Sequence, residues 1–502
     1  MRIGRTVSVT LLAGVCSATS PAFSQNFRGD APSLVGSVGA GARAMGMGGA
    51  FVAIADDATA ASWNPAGLCV LEKPEASVAY KPIQSSREEY AAYTLSNLFP
   101  AEAPASFWTT GQAARTRATS FRALDFASAT LPVRLGSLKL VPQISYQRVA
   151  DLSRHGADSA ITTNSTGPYR GAPTTTIVDT LYSEAEASGG LDVMTGSLGL
   201  SFNSRLFLGV SVNRWMNGVG DDGINDRRTT TTDAQGSRTS TTVREFRLEE
   251  DYSGTNFVAG VLLKPSQKLR FGAVWKSGFD LRRDYTRKGK TAFLDGAPTT
   301  LGDIQRSSII NWPSTWAAGI SVQPTQSLTF SVDYTRTAWS KARNQFTASM
   351  SQGVPETPPA TTFWPVIESV GNPGLPESAA NPYANDTAQA RLGIEYVITR
   401  AGFANLTALP LRAGVFRDQQ LVKNTPDLGS TSFLGFSAGF GLVWSRLSVD
   451  VAYVRSQGEW TSHAYDLTVN DSTVGTYRAI GSQDGKNKYS SDRIWISSTV
   501  RF

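Results

Sequence analysis

The most informative segment of the sequence is its last one, Ile494-Trp495-Ile496-Ser497-Ser498-Thr499-Val500-Arg501-Phe502. Ile494, Ile496, Val500 and Phe502 share one face of this segment, and polar residues share the other. Period-two alternation of this kind places one row of side chains in lipid and the other in a polar interior. Taken alone, the segment also fits an ordinary half-buried edge strand.

A terminal amphipathic strand that closes on an aromatic residue resembles the assembly signal of bacterial outer-membrane β-barrels. The resemblance implies a location in the bacterial outer membrane and recognition by the barrel-assembly machinery. Outer-membrane lipids would then surround the outer face of the protein.

Residues 1–24 predict a secretory signal peptide. A short basic start precedes an apolar run over 7–15 that is too short to span a bilayer, and small residues near Ser24 offer a cleavage site. Cleavage removes Arg2 and Arg5, which lowers the formal charge from +6 to +4. This mild charge is spread along the chain and does not indicate binding to nucleic acid.

Composition excludes a helical membrane protein. The mean hydropathy is −0.18, and no run approaches the ~18 apolar residues of a membrane helix. Removal of the signal peptide leaves Cys69 as the single cysteine, so no internal disulfide is possible. Between Leu68 and Val70, its thiol is expected to be a buried small hydrophobic group.

Alternating segments recur from about residue 75 to the end, as in 206–212, 328–334 and 447–453. Tight and long connections take turns between them, which is typical of a membrane barrel with short periplasmic turns and long external loops. The sequence therefore predicts an all-β fold, a transmembrane antiparallel β-barrel of about 14 strands. To keep an even count, the strand-like segment 88–98 is assigned to the first long loop.

The segment 25–74 does not alternate. It is rich in glycine, which permits close packing and positive φ angles, and residues 58–63 suit a short helix ended by an Asn-Pro pair. A barrel of about fourteen strands has a lumen too wide for its own side chains to fill. We therefore expect three parts: the signal peptide at 1–24, an N-terminal hatch that plugs the lumen at 25–74, and the barrel at 75–502.

The hatch string Gly46-Met47-Gly48-Gly49-Ala50-Phe51-Val52-Ala53-Ile54-Ala55-Asp56-Asp57-Ala58, followed by Trp63-Asn64-Pro65-Ala66-Gly67-Leu68, resembles the signature of the FadL/TodX family. Similar stretches occur at 312–316 and 409–415. The resemblance implies a monomeric fourteen-stranded barrel that takes up hydrophobic small molecules, either long-chain fatty acids or hydrocarbons. It also implies that hatch movement opens a route sideways through the barrel wall.

The resemblance carries two sets of site residues to this chain. The hatch motif of the family falls on Asn64, Pro65 and Ala66. A kink in the third strand, which serves as the gate, falls near Pro142. Since proline removes a ladder hydrogen bond, it is confined to edges and bulges; the alternative is that Pro142 lies near the periplasmic start of its strand, where this loss costs little.

Four aromatic side chains point inward by parity and are predicted to line a substrate pocket: Phe207, Trp215, Trp339 and Trp495. Aromatic rings are unusual in the lumen of a general porin and suit a hydrophobic pocket. A hydrocarbon chain that leaves the membrane loses apolar contacts of ~0.8 kcal/mol per CH₂. Apolar contacts in such a pocket would offset this loss. Packing of the same rings against the hatch is the alternative.

Two features favour other functions. The loop at 219–242 is polar and charged, whereas the fatty-acid transporters have apolar helices in that region. The hatch string also resembles PorV-type barrels, which hold secreted proteins at the cell surface. A surface scaffold or secretion partner is therefore the alternative function.

No catalytic constellation is found in the sequence. Residues 39–44 fit a dinucleotide fingerprint formally, but no βαβ unit surrounds them. Asp56 and Asp57 could act as paired carboxylates or bind a metal, although hydrogen bonding within the hatch is the simpler role. We therefore predict no enzyme activity, no metal and no cofactor.

Overall fold

The structure is a computed structural model. The predicted signal peptide and residues 25–38 lie outside the described residues, which are 39–91, 93–98, 107–112, 115–151, 154–166, 175–187, 190–217, 224–235, 238–293, 299–341, 343–349, 386–399, 405–420, 431–460, 466–471, 475–483 and 486–502.

Residues 39–74 form a compact segment, called the plug below. It contains the helices α1 (Ala42–Gly46) and α2 (Ala60–Trp63) and the 3₁₀ helix η1 (Pro65–Val70). Asn64 begins η1, since its side chain accepts a hydrogen bond from the backbone of Ala66 and Pro65 suits the first helical position. No helix in the described part of the chain has the length and apolar character that crossing a membrane demands.

Strands make up the rest of the described chain: β1 Glu75–Tyr90, β2 Tyr93–Leu98, β3 Phe107–Gln112, β4 Arg115–Thr130, β5 Val133–Leu135, β6 Leu138–Asp151, β7 Arg154–Thr166, β8 Thr175–Ala187, β9 Gly190–Ser201, β10 Leu206–Asn217, β11 Ile224–Gln235, β12 Arg238–Ser266, β13 Leu269–Lys276, β14 Phe279–Phe293, β15 Thr299–Trp312, β16 Thr315–Thr325, β17 Leu328–Thr337, β18 Arg343–Ser349, β19 Thr387–Thr399, β20 Ala408–Gln419, β21 Ser432–Val443, β22 Leu447–Trp460, β23 Asp466–Asp471, β24 Gly475–Gln483 and β25 Asn487–Arg501. The 3₁₀ helix η2 (Trp339–Lys341) separates β17 from β18.

Fourteen antiparallel strands close the barrel wall, as predicted. In order around the wall they are β1, β4, β6, β9, β10, β12, β13 with β14, β15 with β16, β17 with β18, β19, β20, β21, β22 and β25. The first and last strands pair antiparallel from Glu75↔Arg501 to Glu89↔Lys488, with one register shift between Tyr80 and Ile83, which closes the sheet on itself. The predicted first loop begins later than expected, because Glu88–Tyr90 complete β1 and only Tyr93–Leu98 form a separate strand outside the wall.

The outer face of the wall carries an apolar band. On β10, for example, Leu206, Leu208, Val210 and Val212 are all exposed, and Val210 has 51% of its surface accessible. Polar residues of the same strands, such as Ser211, are buried in the interior. Apolar-out and polar-in alternation on a closed barrel is the arrangement of bacterial outer-membrane proteins, which confirms the predicted location.

Three neighbouring wall positions are interrupted at one level. Ser277–Gly278 lie between β13 and β14, Pro313–Ser314 lie between β15 and β16, and η2 follows β17. The break between β13 and β14 reverses parity: Val274 faces inward before it, and Leu281 faces inward after it. The interruptions therefore bring side chains into the lumen that simple alternation would place outside.

Candidate functional site

The plug contacts the wall through inward-facing glycines. A Cβ on Gly209, Gly272, Gly393 or Gly414 would overlap backbone atoms of the plug, and one on Gly260 would overlap the side chain of Asn64. The wall strands therefore lack side chains where the plug backbone passes, which allows an approach that any larger residue would prevent.

The predicted hatch motif lies at this contact. The Asn64 amide donates hydrogen bonds to the Val52 carbonyl at 3.0 Å and to the Val261 carbonyl of β12 at 3.1 Å. Its side-chain oxygen accepts from the Ala66 N–H at 3.1 Å. Because both ends of the amide are used and the residue is fully buried, Asn64 ties two turns of the plug to the barrel wall.

A chain of ion pairs fixes the other end of the plug. Arg43 of α1 pairs with Asp56 at 2.6 Å and with Glu395 of β19 at 3.0 Å. Glu395 also pairs with Arg412 of β20 at 2.6 Å, and Arg412 reaches Asp450 of β22 at 2.7 Å. Each buried carboxylate in this series of ion pairs has a cation beside it, which is what burial of charge requires.

Asp56 receives a second partner, because Arg270 of β13 lies 2.8 Å from its other oxygen. Burial alone would raise the pKa of Asp56, but the guanidinium groups of Arg43 and Arg270 outweigh it and hold the pKa well below its ordinary range. Asp57 accepts hydrogen bonds from the backbone and hydroxyl of Thr59. The acidic pair thus has the hydrogen-bonding role rather than a free catalytic one.

An aromatic cluster lies in the lumen above the plug, on the side of the long connections. The ring centroids of Trp215 and Phe279 are 4.9 Å apart, those of Trp215 and Trp312 are 5.3 Å apart, and those of Trp312 and Trp339 are 5.1 Å apart. The Trp215 indole donates to Asn256 at 2.8 Å, which holds its ring in place. Four rings from four wall positions therefore form one continuous surface.

These rings line a cavity of about 110 Å³ whose floor is the plug. Ala61 and Ser62 of the plug contribute to it, and many of its remaining lining residues are polar. The described residues provide no hydrogen-bond partner for three lining hydroxyls, those of Ser145, Thr335 and Thr387, although these residues are at most 5% exposed. The cavity thus combines aromatic rings with buried hydroxyls that are open to a ligand.

Two of the four predicted pocket residues, Trp215 and Trp339, line this cavity. Phe207 instead packs with Ala66 of the plug, and Trp495 belongs to a buried cluster built around the plug, which was the alternative for all four rings.

Sequence reasoning missed Phe279 and Trp312. Phe279 follows the strand interruption at Ser277–Gly278, and Trp312 precedes the one at Pro313–Ser314. The neighbouring Gly278 and Pro313 were the sequence signals that could have indicated a change of parity there.

The predicted gate residue Pro142 faces outward near the lower end of β6, and its carbonyl accepts a hydrogen bond from Leu131. The register of β6 against β9 continues through Pro142 and shifts higher up, between Arg148 and Ala150. Val149, at this shift, lines the cavity. The bulge in the third wall strand therefore lies at the level of the cavity, several residues above the proline.

Cys69 is buried and forms no disulfide with another described residue, and burial raises the pKa of its thiol to about 12. In the part of the chain that the structure describes, no group of three or more His, Cys, Asp or Glu side chains could hold a metal ion.

Comparison with solved structures identifies the fold. A FadL homologue from Pseudomonas aeruginosa is 15% identical, with 92% of this chain and 98% of that chain covered and a TM-score of 0.50. The toluene transporter TodX of Pseudomonas putida is 13% identical, with 92% of this chain and 98% of that chain covered and a TM-score of 0.48. The toluene transporter TbuX of Ralstonia pickettii is 14% identical, with 93% of this chain and 99% of that chain covered and a TM-score of 0.43. No protein-family model matches the sequence, and neither does any curated protein.

At this level of identity the likeness concerns the fold, and it agrees with the fold that the hatch string implied. The chain has the fold of the FadL homologue, and its strands form a closed fourteen-stranded outer-membrane β-barrel.

Proposed function

We propose that the protein takes up hydrophobic small molecules across the outer membrane, that the plug acts as the gate, and that the molecule leaves sideways through the wall. The observation that carries this proposal is the aromatic cavity with the plug as its floor. A ligand in the cavity touches Ala61 and Ser62, so binding and plug movement are coupled by direct contact. Asn64, Pro65 and Ala66 would hold the plug in its closed position.

The wall between β4 and β6 is the proposed exit. Among the described residues, the ladder joining these strands extends from Thr130↔Gln143 only to Phe126↔Gln147, although β4 begins at Arg115. The register shift near Val149 lies just beyond the end of this ladder. A region without ladder hydrogen bonds separates more easily than a paired one, and Pro142 would weaken the same strand from below.

Uptake by cells that express the protein tests the proposal. Trp339→Ala removes an inward ring that is 3% exposed, and Trp316→Ala removes an outward ring that is 46% exposed. We expect the first variant to lower the uptake of a radiolabelled hydrophobic compound about tenfold, since the loss of ~1.4 kcal/mol of binding corresponds to that factor. The second variant should leave uptake unchanged.

Equal uptake by all three proteins and by cells without the barrel would contradict transport. That result would favour the PorV-type role as a surface scaffold, in which the lumen carries nothing. Equal amounts of folded barrel in the membrane, checked by its heat-modifiable mobility, are needed for the comparison.

A further inference from the structure

The size of the cavity limits what it can hold while the plug is in place. Its volume is about 110 Å³. Pockets for drug-sized ligands measure ~300–1,000 Å³, whereas an apolar cavity of ~150 Å³ suffices for benzene. The cavity is therefore of the order of a single ring, and a long acyl chain would extend beyond it.

The shape of the aromatic surface favours a flat ligand. Phe279 and Trp215 stack with their planes 30° apart, and Phe279 and Trp312 stack at 26°. Aromatic rings prefer to meet other rings in offset-stacked or edge-on arrangements. A ligand ring can extend this stack, and a flexible chain gains nothing comparable from it.

The wall next to the aromatic cluster favours an oxygen substituent on that ring. Thr335 of β17 and Thr387 of β19 are inward neighbours, since Thr337↔Thr387 and Thr335↔Gln389 are paired. Their hydroxyls lack partners among the described residues, and Ser145 of β6 offers a third. A bare hydrocarbon would displace water from these hydroxyls without replacing its hydrogen bonds, which costs free energy.

A lysine that already interacts within the protein also lines the cavity. Lys276, the last residue of β13, is a lining residue together with Ser277 and Phe279. An oxygen atom that carries partial or full negative charge is favoured near an ammonium group.

We propose that the ligand of this cavity is an oxygen-bearing monoaromatic compound, either a phenol or an aromatic carboxylate, rather than a long-chain fatty acid or an unsubstituted hydrocarbon. The proposal rests on the uptake function above and specifies its substrate class. The ring lies against the Trp215–Phe279–Trp312–Trp339 cluster, and its oxygen is hydrogen-bonded by the hydroxyls of Thr335 and Thr387.

Binding to the full protein in lipid nanodiscs tests the substrate class. Fluorine NMR titrations would use 4-fluorophenol, 4-fluorobenzoate and 4-fluorotoluene, with dodecanoate as competitor and empty nanodiscs to correct for partition into lipid. We expect the phenol or the benzoate to bind about tenfold more tightly than the toluene. The stronger of the two identifies the oxygen group.

Isosteric variants assign the preference to the hydroxyls. In the double variant Thr335→Val with Thr387→Val, the affinity of the oxygenated ring should fall to about that of 4-fluorotoluene, whose own affinity is retained. Thr329→Val, on β17 but at the lower end of the wall, is the matched control and should leave the affinity of every probe unchanged. Trp339→Ala should weaken binding of every ring.

Equal binding of 4-fluorophenol, 4-fluorobenzoate and 4-fluorotoluene, or stoichiometric displacement of them by dodecanoate, would overturn the substrate class but leave hydrophobic uptake standing. A preference that survives in the double threonine variant would also overturn it, because the oxygen would then be recognised elsewhere. Failure of every probe to bind, together with unchanged uptake in the Trp339 variant, would contradict the uptake function itself.

Discussion

The lower and upper halves of the lumen use the same inward rows of the same strands in opposite ways. On β10, Gly209 contacts the plug backbone, whereas Trp215, about 20 Å further along the strand, lines the cavity. On β17, Asp333 accepts the Val52 N–H of the plug at 2.7 Å, and Thr335 has an open hydroxyl. The lower half is filled by contacts between the plug and the wall, and the upper half leaves rings and hydroxyls for a ligand.

Arg412→Met should be the most damaging change in the lower half. The variant leaves the buried carboxylate of Asp450 without the guanidinium that lies 2.7 Å away. Breaking a buried ion pair by removing one partner costs about 3–5 kcal/mol of unfolding free energy. Urea unfolding in lipid vesicles measures this loss. Arg417→Met, at an exposed position of the same strand, is the control, and similar losses in both variants would show that the network does not anchor the plug.

Gly209→Ala should destabilise the protein by about 1–3 kcal/mol, the usual cost of overpacking. Its new Cβ would overlap Pro65 and Ala66 of the plug, whereas a Cβ on Gly196 of β9 would meet open space. Gly196→Ala is therefore the matched control. Protease sensitivity of the plug, measured beside the unfolding free energy, should rise only in the Gly209 variant. A stable Gly209 variant with a protected plug would refute the close contact.

Lowering the pH should loosen the plug through Asp56. Because the folded pKa of Asp56 lies below its ordinary value of ~4, its contribution to stability is complete above that value and is lost as pH falls toward the folded pKa. The protection factors of plug amides, which correct for the intrinsic pH dependence of hydrogen exchange, should fall below about pH 4. Asp56→Asn should remove part of this pH dependence, and an identical pH profile in the variant would assign it to other groups.

Thr335→Val should have the smallest effect, within about 0.5 kcal/mol of unfolding free energy, since its hydroxyl makes no hydrogen bond with described residues. Asp333→Ala, two residues away on the same inward face, should cost about 1–3 kcal/mol because the buried Val52 N–H loses its acceptor. A large loss in the Thr335 variant would mean that this hydroxyl belongs to the structure and is not available to a ligand.

The barrel could be predicted from the sequence because apolar and polar residues alternate along the whole length of a membrane strand. Period-two alternation and the sorting of short and long connections gave the wall and its count of fourteen. The hatch string led to Asn64, whose amide hydrogen-bonds both to the plug and to β12. Parity predicted that Trp215 and Trp339 point inward, and both line the cavity.

The rest of the site could not be predicted from alternation. Phe279 and Trp312 face the cavity because the strands are interrupted beside them, and the effect of an interruption on parity depends on the neighbouring strands. Phe207 and Trp215 share a strand and a face, but the first contacts the plug and the second lines the cavity. Sequence gives the side of the wall that a residue faces and not its height relative to the plug.

The compartment and the closed antiparallel barrel could be predicted from the sequence, because they follow from local periodicity and composition. Which inward residues meet the plug and which are left open depends on where residues distant in the chain come together, and this could be seen only in the folded molecule. Arg43 and Glu395, which are 352 positions apart, form one ion pair. The cavity exists for the same reason: the plug ends below the aromatic cluster, and the wall continues above it.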